Sequence, residues 1–365
     1  GSNVAIGRAA LDANTTGASN VAVGAYALDA NTTASNNTAV GYAALTQNST
    51  GSENTSMGWG ALGANTTASY GTAIGSKALA DNTTGANNTA VGERALYVNT
   101  TGAGNVAVGA YALDANTTAG SNTAVGYGAL SANTTSEYNV AVGYGALQVN
   151  TTGTRNTAVG KGAAVACTIG RYNTALGYRA MQTDIDGDYS VAIGYDALAT
   201  QESDGANQAV YNVAVGANAG SALTSGIRNT FVGPQAAASG TVTGDENTGI
   251  GFQALYALTS GESNVAVGQT GGAITTGSKN TCINGGTITT GDNNIVIGKD
   301  AGTSGAPGGA QSTGSDSICL GDENIGDAYI QVDWTVASDE RDKTDFTALD
   351  VGLDFVNALA PVTYK

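Results

Sequence analysis

Asn105-Val-Ala-Val-Gly-Ala-Tyr-Ala-Leu-Asp-Ala-Asn-Thr-Thr118 is a motif that recurs along most of the chain, and after three further residues it begins again at Asn122. Its first residue returns at a constant spacing of 17, at Asn3, Asn20, Asn37, Asn54, Gly71, Asn88, Asn105, Asn122, Asn139, Asn156, Asn173 and Ser190. A constant period of this size is typical of a solenoid or a repeat array rather than of a conventional globular domain.

One repeat has the residue pattern of a flat coil. With the leading Asn as position 0, positions 1 to 3 alternate as a short β-strand does, so positions 1 and 3 face one side and positions 0, 2 and 4 face the other. Position 8 is nearly always Leu, and the Asn-Thr-Thr at positions 11 to 13 is predicted to end a second short strand. The sequence therefore predicts an all-β fold, a parallel β-roll or β-solenoid of 17-residue coils with ladders of Val or Ile, Leu, Asn and Thr.

The apolar residues of a coil also predict which face is buried. We expect the Val or Ile of the strand and the Leu at position 8 to form the core, with Ala at position 2, such as Ala107, on the opposite face. Two large apolar side chains per coil make a thin core. The small Ala would let another chain approach closely, so we expect the coils to be stable only in an oligomer.

The register of the motif divides the chain into four parts. Residues 1–199 are regular, whereas residues 200–325 keep the motif with longer and more variable turns, beginning at Asn212, Asn229, Asn247, Asn264, Asn280, Asn294 and Ser317. The 18 copies from Asn3 to Asn294 predict a roll roughly 80 Å long, because neighbouring strands are about 4.8 Å apart. Residues 326–337 are predicted to form a neck strand, and residues 338–365 a short mixed segment with an amphipathic helix that Pro361 ends.

Composition excludes several classes of function. The net charge is −16 with only 13 basic residues, so no cationic surface for nucleic acid is predicted. No apolar run is long enough to insert into a membrane. Histidine is absent, which removes Ser-His-Asp catalysis and the commonest metal ligand. The three cysteines, Cys167, Cys282 and Cys319, occupy ladder positions and are predicted to be small buried side chains.

Aromatic residues recur at position 5, immediately after the strand, and they are Tyr42, Trp59, Tyr127, Tyr144, Tyr178, Tyr195 and Phe252. The same position holds Arg8, Glu93 and Lys161 in other repeats, so we expect it to face solvent. Exposed aromatic rings offer apolar platforms with polar tips, which suit the faces of sugar rings. The alternative is that these rings only pack against the neighbouring turns.

Three carboxylates are spaced as in a calcium-binding loop, at Asp184, Asp186 and Asp188. No Glu follows at the twelfth position, which is Tyr195. The alternative is a turn in which Asp184 replaces the ladder Asn. No cofactor other than calcium is indicated by any motif.

The repeat resembles the head repeats of trimeric autotransporter adhesins, through the phrase Asn-Thr-Ala-Val-Gly at Asn122 and elsewhere, and similar phrases occur in phage tail fibres. The resemblance covers about 300 residues and implies a left-handed parallel β-roll trimer. That family's repeat is typically shorter than 17 residues, so the turns of this chain are longer.

The C-terminal residues resemble the start of the intramolecular chaperone domain of phage tailspikes and fibres. The resemblance is carried by Ser338-Asp339-x-Arg341-x-Lys343 and by the apolar pattern that follows as far as Tyr364. In that family the domain helps three chains to assemble and is released by autoproteolysis. The resemblance implies that Ser338 is the nucleophile and Lys343 its base, because a Lys of lowered pKa can activate a hydroxyl group without His.

Together these features predict a structural and receptor-binding segment of a homotrimeric phage tail fibre. It would be extracellular in the virion, would contact other tail proteins and would bind a host-surface glycan or other receptor. It is not predicted to be a turnover enzyme. One alternative is the passenger segment of a trimeric adhesin on a bacterial surface. Another is a polysaccharide-degrading spike, which would need paired acids in a groove, and the regular repeats place few carboxylates together.

Overall fold

A three-residue strand at positions 1 to 3 of each repeat is the only regular element of the computed structural model, which describes residues 1–203, 208–269, 273–286, 288–304, 310–322 and 324–325. The described residues contain these strands: β1 Val4–Ile6, β2 Val21–Val23, β3 Thr38–Val40, β4 Thr55–Met57, β5 Thr72–Ile74, β6 Thr89–Val91, β7 Val106–Val108, β8 Thr123–Val125, β9 Val140–Val142, β10 Thr157–Val159, β11 Thr174–Leu176, β12 Val191–Ile193, β13 Val213–Val215, β14 Thr230–Val232, β15 Thr248–Ile250, β16 Val265–Val267, β17 Thr281–Ile283, β18 Ile295–Ile297 and β19 Ile318–Leu320. They contain no helix. Every copy of the motif thus supplies one strand, as predicted.

The strands form one parallel sheet in which each strand pairs with the next along the chain. The register places like on like, so that Val106 lies beside Thr123 and Ala107 beside Ala124. The pairing continues through the 22-residue step between β12 and β13, where Val191 pairs with Val213. The protein is therefore a parallel β-solenoid of coils of about 17 residues, and the irregular coils continue the stack of the regular ones.

The buried face of the strand is the opposite of the predicted one. Ala107 is fully buried, whereas Val106 is 36% exposed and Val108 is half-buried. Inside each regular coil, Ala at positions 2 and 7 and Leu at position 8 pack together, as Ala107, Ala112 and Leu113 do. The regular coils are narrow, and Leu from the far side and two Asn side chains leave room for little more than a methyl group at position 2. The strand alternation was therefore predicted correctly, and its inner and outer faces were exchanged.

An exception at position 2 supports this account of the core. Phe231 is fully buried in β14, although Ala is usual there. A Cβ atom added at Gly249, the paired residue of β15, would lie 3.3 Å from the Phe231 ring, and one added at Gly220 would lie 3.1 Å from it. The large ring thus fits because glycines stand where the neighbouring side chains would be.

Two buried Asn ladders support the coil from within. The Asn31 side-chain nitrogen donates to Asn14 Oδ1 of the preceding coil at 2.9 Å and to the Ala34 carbonyl at 3.1 Å. Asn20 at position 0 donates to the same carbonyl at 2.9 Å. Because a buried amide left without partners costs about 1–3 kcal/mol, these repeated bonds explain why Asn recurs at positions 0 and 11.

The second predicted strand is absent from the described coils. The residues from position 6 to position 13 form turns, yet they still bond from coil to coil, as in the Leu11 N–H donating to the Ala27 carbonyl at 3.1 Å. Leu at position 8 has a left-handed φ, 52° at Leu113, which no extended strand allows. The prediction of two strands per coil was therefore wrong, because the Leu side chain is brought inward by a turn.

Gly1–Asn324 form one compact unit. The predicted change from regular to irregular repeats at residue 199 falls within this unit, where β12 and β13 pair directly. The predicted neck strand at 326–337 and the predicted chaperone start at 338–365 lie outside the described residues.

Candidate functional site

The position-5 aromatic side chains lie on one edge of the solenoid, immediately after each strand. All are substantially exposed, with Tyr144 at 57% and Trp59 at 52%. The prediction that this position faces solvent is confirmed for Tyr42, Trp59, Tyr127, Tyr144, Tyr178 and Tyr195. Their arrangement differs along the stack, since some rings face each other and others line clefts.

Two pairs of these rings stack on each other. The Tyr127 and Tyr144 ring centroids are 5.4 Å apart with an interplanar angle of 11°, and those of Tyr178 and Tyr195 are 5.5 Å apart at 8°. One face of each ring is therefore covered by its neighbour, which agrees with the alternative of packing between turns. Other side chains contact two of these rings as well, since the Tyr111 ring lies 5.6 Å from that of Tyr127 and the Arg179 guanidinium lies 5.2 Å from the Tyr178 centroid. The exposed parts of the four side chains remain accessible to a ligand.

Tyr42 and Trp59 line a cleft of about 320 Å³ on this edge. Gly60 at position 6 opens the cleft, since it places no side chain beside Trp59. The Lys77 ammonium lies 4.7 Å from the Trp59 ring centroid, and Asp81 also lines the cleft. An aromatic wall with a cation, a carboxylate and nearby amide and hydroxyl groups can bind a polar ring through both its apolar and its hydroxyl-bearing faces.

Tyr144 and Tyr178 line a second cleft of about 190 Å³, with Lys161 on the coil between them. Gly145 and Gly162 occupy position 6 beside this cleft. These glycines carry no side chain and so leave this cleft open, as Gly60 does for the cleft at Trp59.

A second aromatic row was missed by the sequence analysis. It occupies position 16, the residue before the leading residue of the next repeat. Five successive coils carry there four Tyr and one Arg, which are Tyr138, Arg155, Tyr172, Tyr189 and Tyr211. The Tyr172 and Tyr189 rings stack at 4.9 Å, and the Arg155 guanidinium lies 5.3 Å from the Tyr172 ring. The same 17-residue period, applied to position 16, would have found this row.

The three predicted calcium ligands do not converge. Asp184 is buried at ladder position 11, where Gln201 donates to its carboxylate at 2.6 Å, and Ser203 bridges it to Asp186. Asp188 instead accepts the Arg171 N–H at 2.7 Å. Within the described coils, no group of three acidic, Cys or His side chains is placed to hold a metal ion. The geometry favours the alternative, in which Asp184 replaces the ladder Asn.

The Asp184 carboxyl should make stability depend on pH. Burial raises its pKa, although hydrogen bonds from Gln201 and Gly187 oppose the shift. A raised pKa in the folded state gives stability that is complete below the unfolded pKa and is lost as the pH rises through the folded one. We therefore expect Asp184→Asn, which restores the ladder residue, to raise the melting temperature at pH 7 and to have little effect near pH 4.

The control for this prediction is Asp12→Asn, because Asp12 is an exposed carboxylate in another 17-residue repeat of the chain. Thermal melts of both variants and the parent chain at the two pH values provide the measurement. An Asp184→Asn effect that is equal at both pH values would contradict the role of the buried charge.

The described cysteines are free and buried, as predicted. Burial raises the pKa of the Cys167 thiol to about 12 and that of Cys282 to about 11. Neither thiol is thus poised as a nucleophile, since the thiolate is the reactive form.

The predicted nucleophile Ser338 and base Lys343 lie outside the described residues.

In the part of the chain that the structure describes, no helix has the length and apolar character needed to cross a membrane. Comparisons with protein-family models and with curated proteins found no match to this chain.

Proposed function

We propose that this chain is a structural and receptor-binding segment of a homotrimeric phage tail fibre that mediates attachment to the host surface. The observation that carries the proposal is the apolar strip, by which we mean the outward side chains at positions 1 and 3 of β1–β19. The resemblance to adhesin heads and tail fibres supplies the number of chains and the biological setting.

The apolar strip extends over every coil of the solenoid. It is a double ladder in which position 3 is Val, Ile, Leu or Met and position 1 is Val, Ile or Thr. Several of its position-3 members are exposed, including Ile74, Val159, Ile250 and Ile297. Contiguous apolar surface of more than a few hundred Å² is rare on soluble monomers and marks an interface. Its regular repeat suits the matching strip of another copy, so self-association in a rod is the simplest way to bury it.

In this proposal the host receptor binds to the edge of the solenoid that carries the position-5 aromatic residues and the two clefts. Substitution of Tyr42 and Trp59 by Ala should weaken binding to a host-surface glycan about tenfold or more, because each ring contributes about 1 kcal/mol. Since both side chains are exposed, the melting temperature should stay within a few degrees of the parent. The corresponding pair Tyr127→Ala and Tyr144→Ala should also weaken binding to host cells, through loss of ring edges and hydroxyl groups.

Tyr70→Ala is the matched control for both pairs, because Tyr70 is an exposed ring at position 16, on the other side of the strand. Binding is measured as retention of the labelled fibre on a glycan array and on host cells. If both double variants bind as well as Tyr70→Ala, the position-5 aromatics are packing residues and not a glycan platform.

The proposal includes a trimerisation chaperone that removes itself in the full-length protein. Ser338 Oγ, whose proton Lys343 accepts, would attack the carbonyl carbon of the peptide bond to be cut beside Ser338–Asp339 and form an ester. The C–N bond would break, the leaving amine would take the proton back from Lys343, and water would hydrolyse the ester. Intact-mass measurement on freshly expressed full-length protein should therefore give two fragments, and Ser338→Ala or Lys343→Ala should each give uncut trimers. Cleavage that persists in both variants would contradict the assigned roles.

The second candidate is the passenger segment of a trimeric bacterial surface adhesin, which the repeat motif itself favours. The gene sequence after Lys365 distinguishes the two, since chaperone helices would support the phage fibre and a membrane anchor the adhesin.

A further inference from the structure

The cleft around Lys161 combines features that point to a charged ligand. Its walls are the rings of Tyr144 and Tyr178, which occupy position 5 two coils apart and thus stand about 10 Å from each other. Lys161 occupies the same position on the coil between them and is exposed. We propose that this cleft binds an acidic sugar residue of a surface polysaccharide, with the Lys161 ammonium contacting its anionic group. The inference rests on the proposed glycan-binding function and adds the class of ligand.

The room for a sugar ring comes from glycine. Position 6 is Gly128, Gly145 and Gly162 in three successive coils, whereas the flanking coils carry Tyr111 and Arg179 there. A Cβ atom added at Gly145 would lie 3.3 Å from the Gln148 side-chain oxygen, so the Gln148 amide extends across the bare position. Gln182 also lines the cleft. Its lining therefore offers two aromatic walls and two amide groups, which is the combination that binds the apolar faces and the hydroxyl groups of sugars.

The Lys161 ammonium is placed to meet an anion. It lies 5.8 Å from the Tyr144 centroid and 5.9 Å from the Tyr178 centroid, near the outer limit of about 6 Å for a cation–ring contact. Neither ring therefore holds it closely. Among the described residues, no carboxylate lies within ion-pair distance of Lys161, although the chain as a whole carries a charge of −16.

Asp196, an acidic group beside the cleft residue Arg179, is already paired. Arg179 donates to both Asp196 carboxylate oxygens, at 2.8 and 2.6 Å. The Asp196 side chain is largely buried, so it cannot turn towards Lys161. The residues that line the cleft include Lys161 and Arg179 and no acid. This distinguishes it from the Trp59 cleft, where Lys77 is accompanied by Asp81 and the charges balance.

The test is binding of the full chain to an array of bacterial polysaccharides that includes neutral, uronate-bearing and phosphate-bearing members. We expect retention of acidic members that decreases with added salt, and the uronate and phosphate arms show which anion is bound. Lys161→Gln should lower the affinity for the retained polysaccharide about tenfold, since a hydrogen bond to a charged group is lost. Lys161→Arg should restore most of the binding, and Lys279→Gln, which removes a charge elsewhere, should leave it unchanged.

Each other outcome has a distinct meaning. Retention of neutral polysaccharides alone, or equal affinity in Lys161→Gln, would overturn the acidic-sugar assignment and leave glycan binding in place. Absence of binding to every polysaccharide would overturn both the assignment and the glycan-binding function on which it rests. Because Lys161 is exposed, we expect its substitution to leave the melting temperature unchanged. Measuring that temperature shows that each variant is folded.

Discussion

Substitution of Gly109 by Ala is expected to lower the free energy of unfolding by about 3 kcal/mol or more. Gly109 follows β7 at position 4 and has a φ of 133°, a region open almost only to glycine. A Cβ atom there would lie 2.5 Å from the Gly126 carbonyl oxygen of the next coil. Backbone cannot move aside as a side chain can, so the two coils would have to separate and lose ladder bonds. Thermal unfolding followed by circular dichroism provides the measurement.

Gly104→Ala is the matched control, because Gly104 lies only five residues before Gly109 and also has a positive φ, of 69°. The added Cβ atom would there approach no atom outside its own neighbours more closely than 4.0 Å. The left-handed conformation alone costs about 1–2 kcal/mol. Equal destabilisation by the two substitutions would show that conformational strain, and not the close approach of the coils, accounts for glycine at position 4.

The double substitution Val106→Asp and Val108→Asp is expected to abolish assembly of the oligomer. Both side chains point outward from β7 into the apolar strip. In an oligomer that buries the strip, each carboxylate would lose its water without gaining a partner, at a cost of several kcal/mol. Each chain of a trimer would bring two such charges to the shared interface. Size-exclusion chromatography with light scattering should therefore detect monomers or aggregates in place of the parent species.

The control for this pair is Ala103→Asp, because Ala103 lies on an exposed turn in the preceding coil. It adds charge of the same sign without entering the strip. If Val106→Asp with Val108→Asp assembles as readily as Ala103→Asp, the strip is a solvent-facing surface, and the interface must be sought elsewhere.

Much of the fold could be predicted because the repeats can be aligned with one another. A strict 17-residue spacing fixes which residues stack, so the parallel register, the position of each strand and the Asn and Leu ladders all follow from it. The Asn residues illustrate this well, since a polar side chain that recurs at one position of most coils can bond to its own copy in the neighbouring coil. The structure bears this out at Asn14 and Asn31.

The burial of the strand could not be predicted because it depends on the width of the coil. Large apolar side chains are usually inside, and on that rule Val106 and not Ala107 belonged to the core. The rule fails here because Leu113 enters from the opposite side through a turn with positive φ, which periodicity does not reveal. The prediction of self-association is retained with a different reason, since the apolar residues that need a partner are Val106 and its equivalents.

The candidate site could be predicted only in part. Solvent exposure at position 5 followed from the mixture of Tyr144 with charged residues at equivalent positions. Neither the stacking of Tyr127 on Tyr144 nor the cleft at Lys161 could be predicted, because both depend on side-chain directions and on glycine at position 6. Asp184, Asp186 and Asp188 do not converge for a related reason, since Asp184 occupies the Asn-ladder position and its side chain is buried inside the coil.

The mass of the folded chain in solution tests the central claim most directly, because the apolar strip calls for self-association and the resemblance implies three copies. Multi-angle light scattering on the purified protein should give about 107 kDa, three times the 35.8 kDa of one chain. Circular dichroism on the same fraction should show that it is folded. A folded, stable species of 35.8 kDa would contradict the account, since the apolar strip would then remain exposed to water without destabilising the chain.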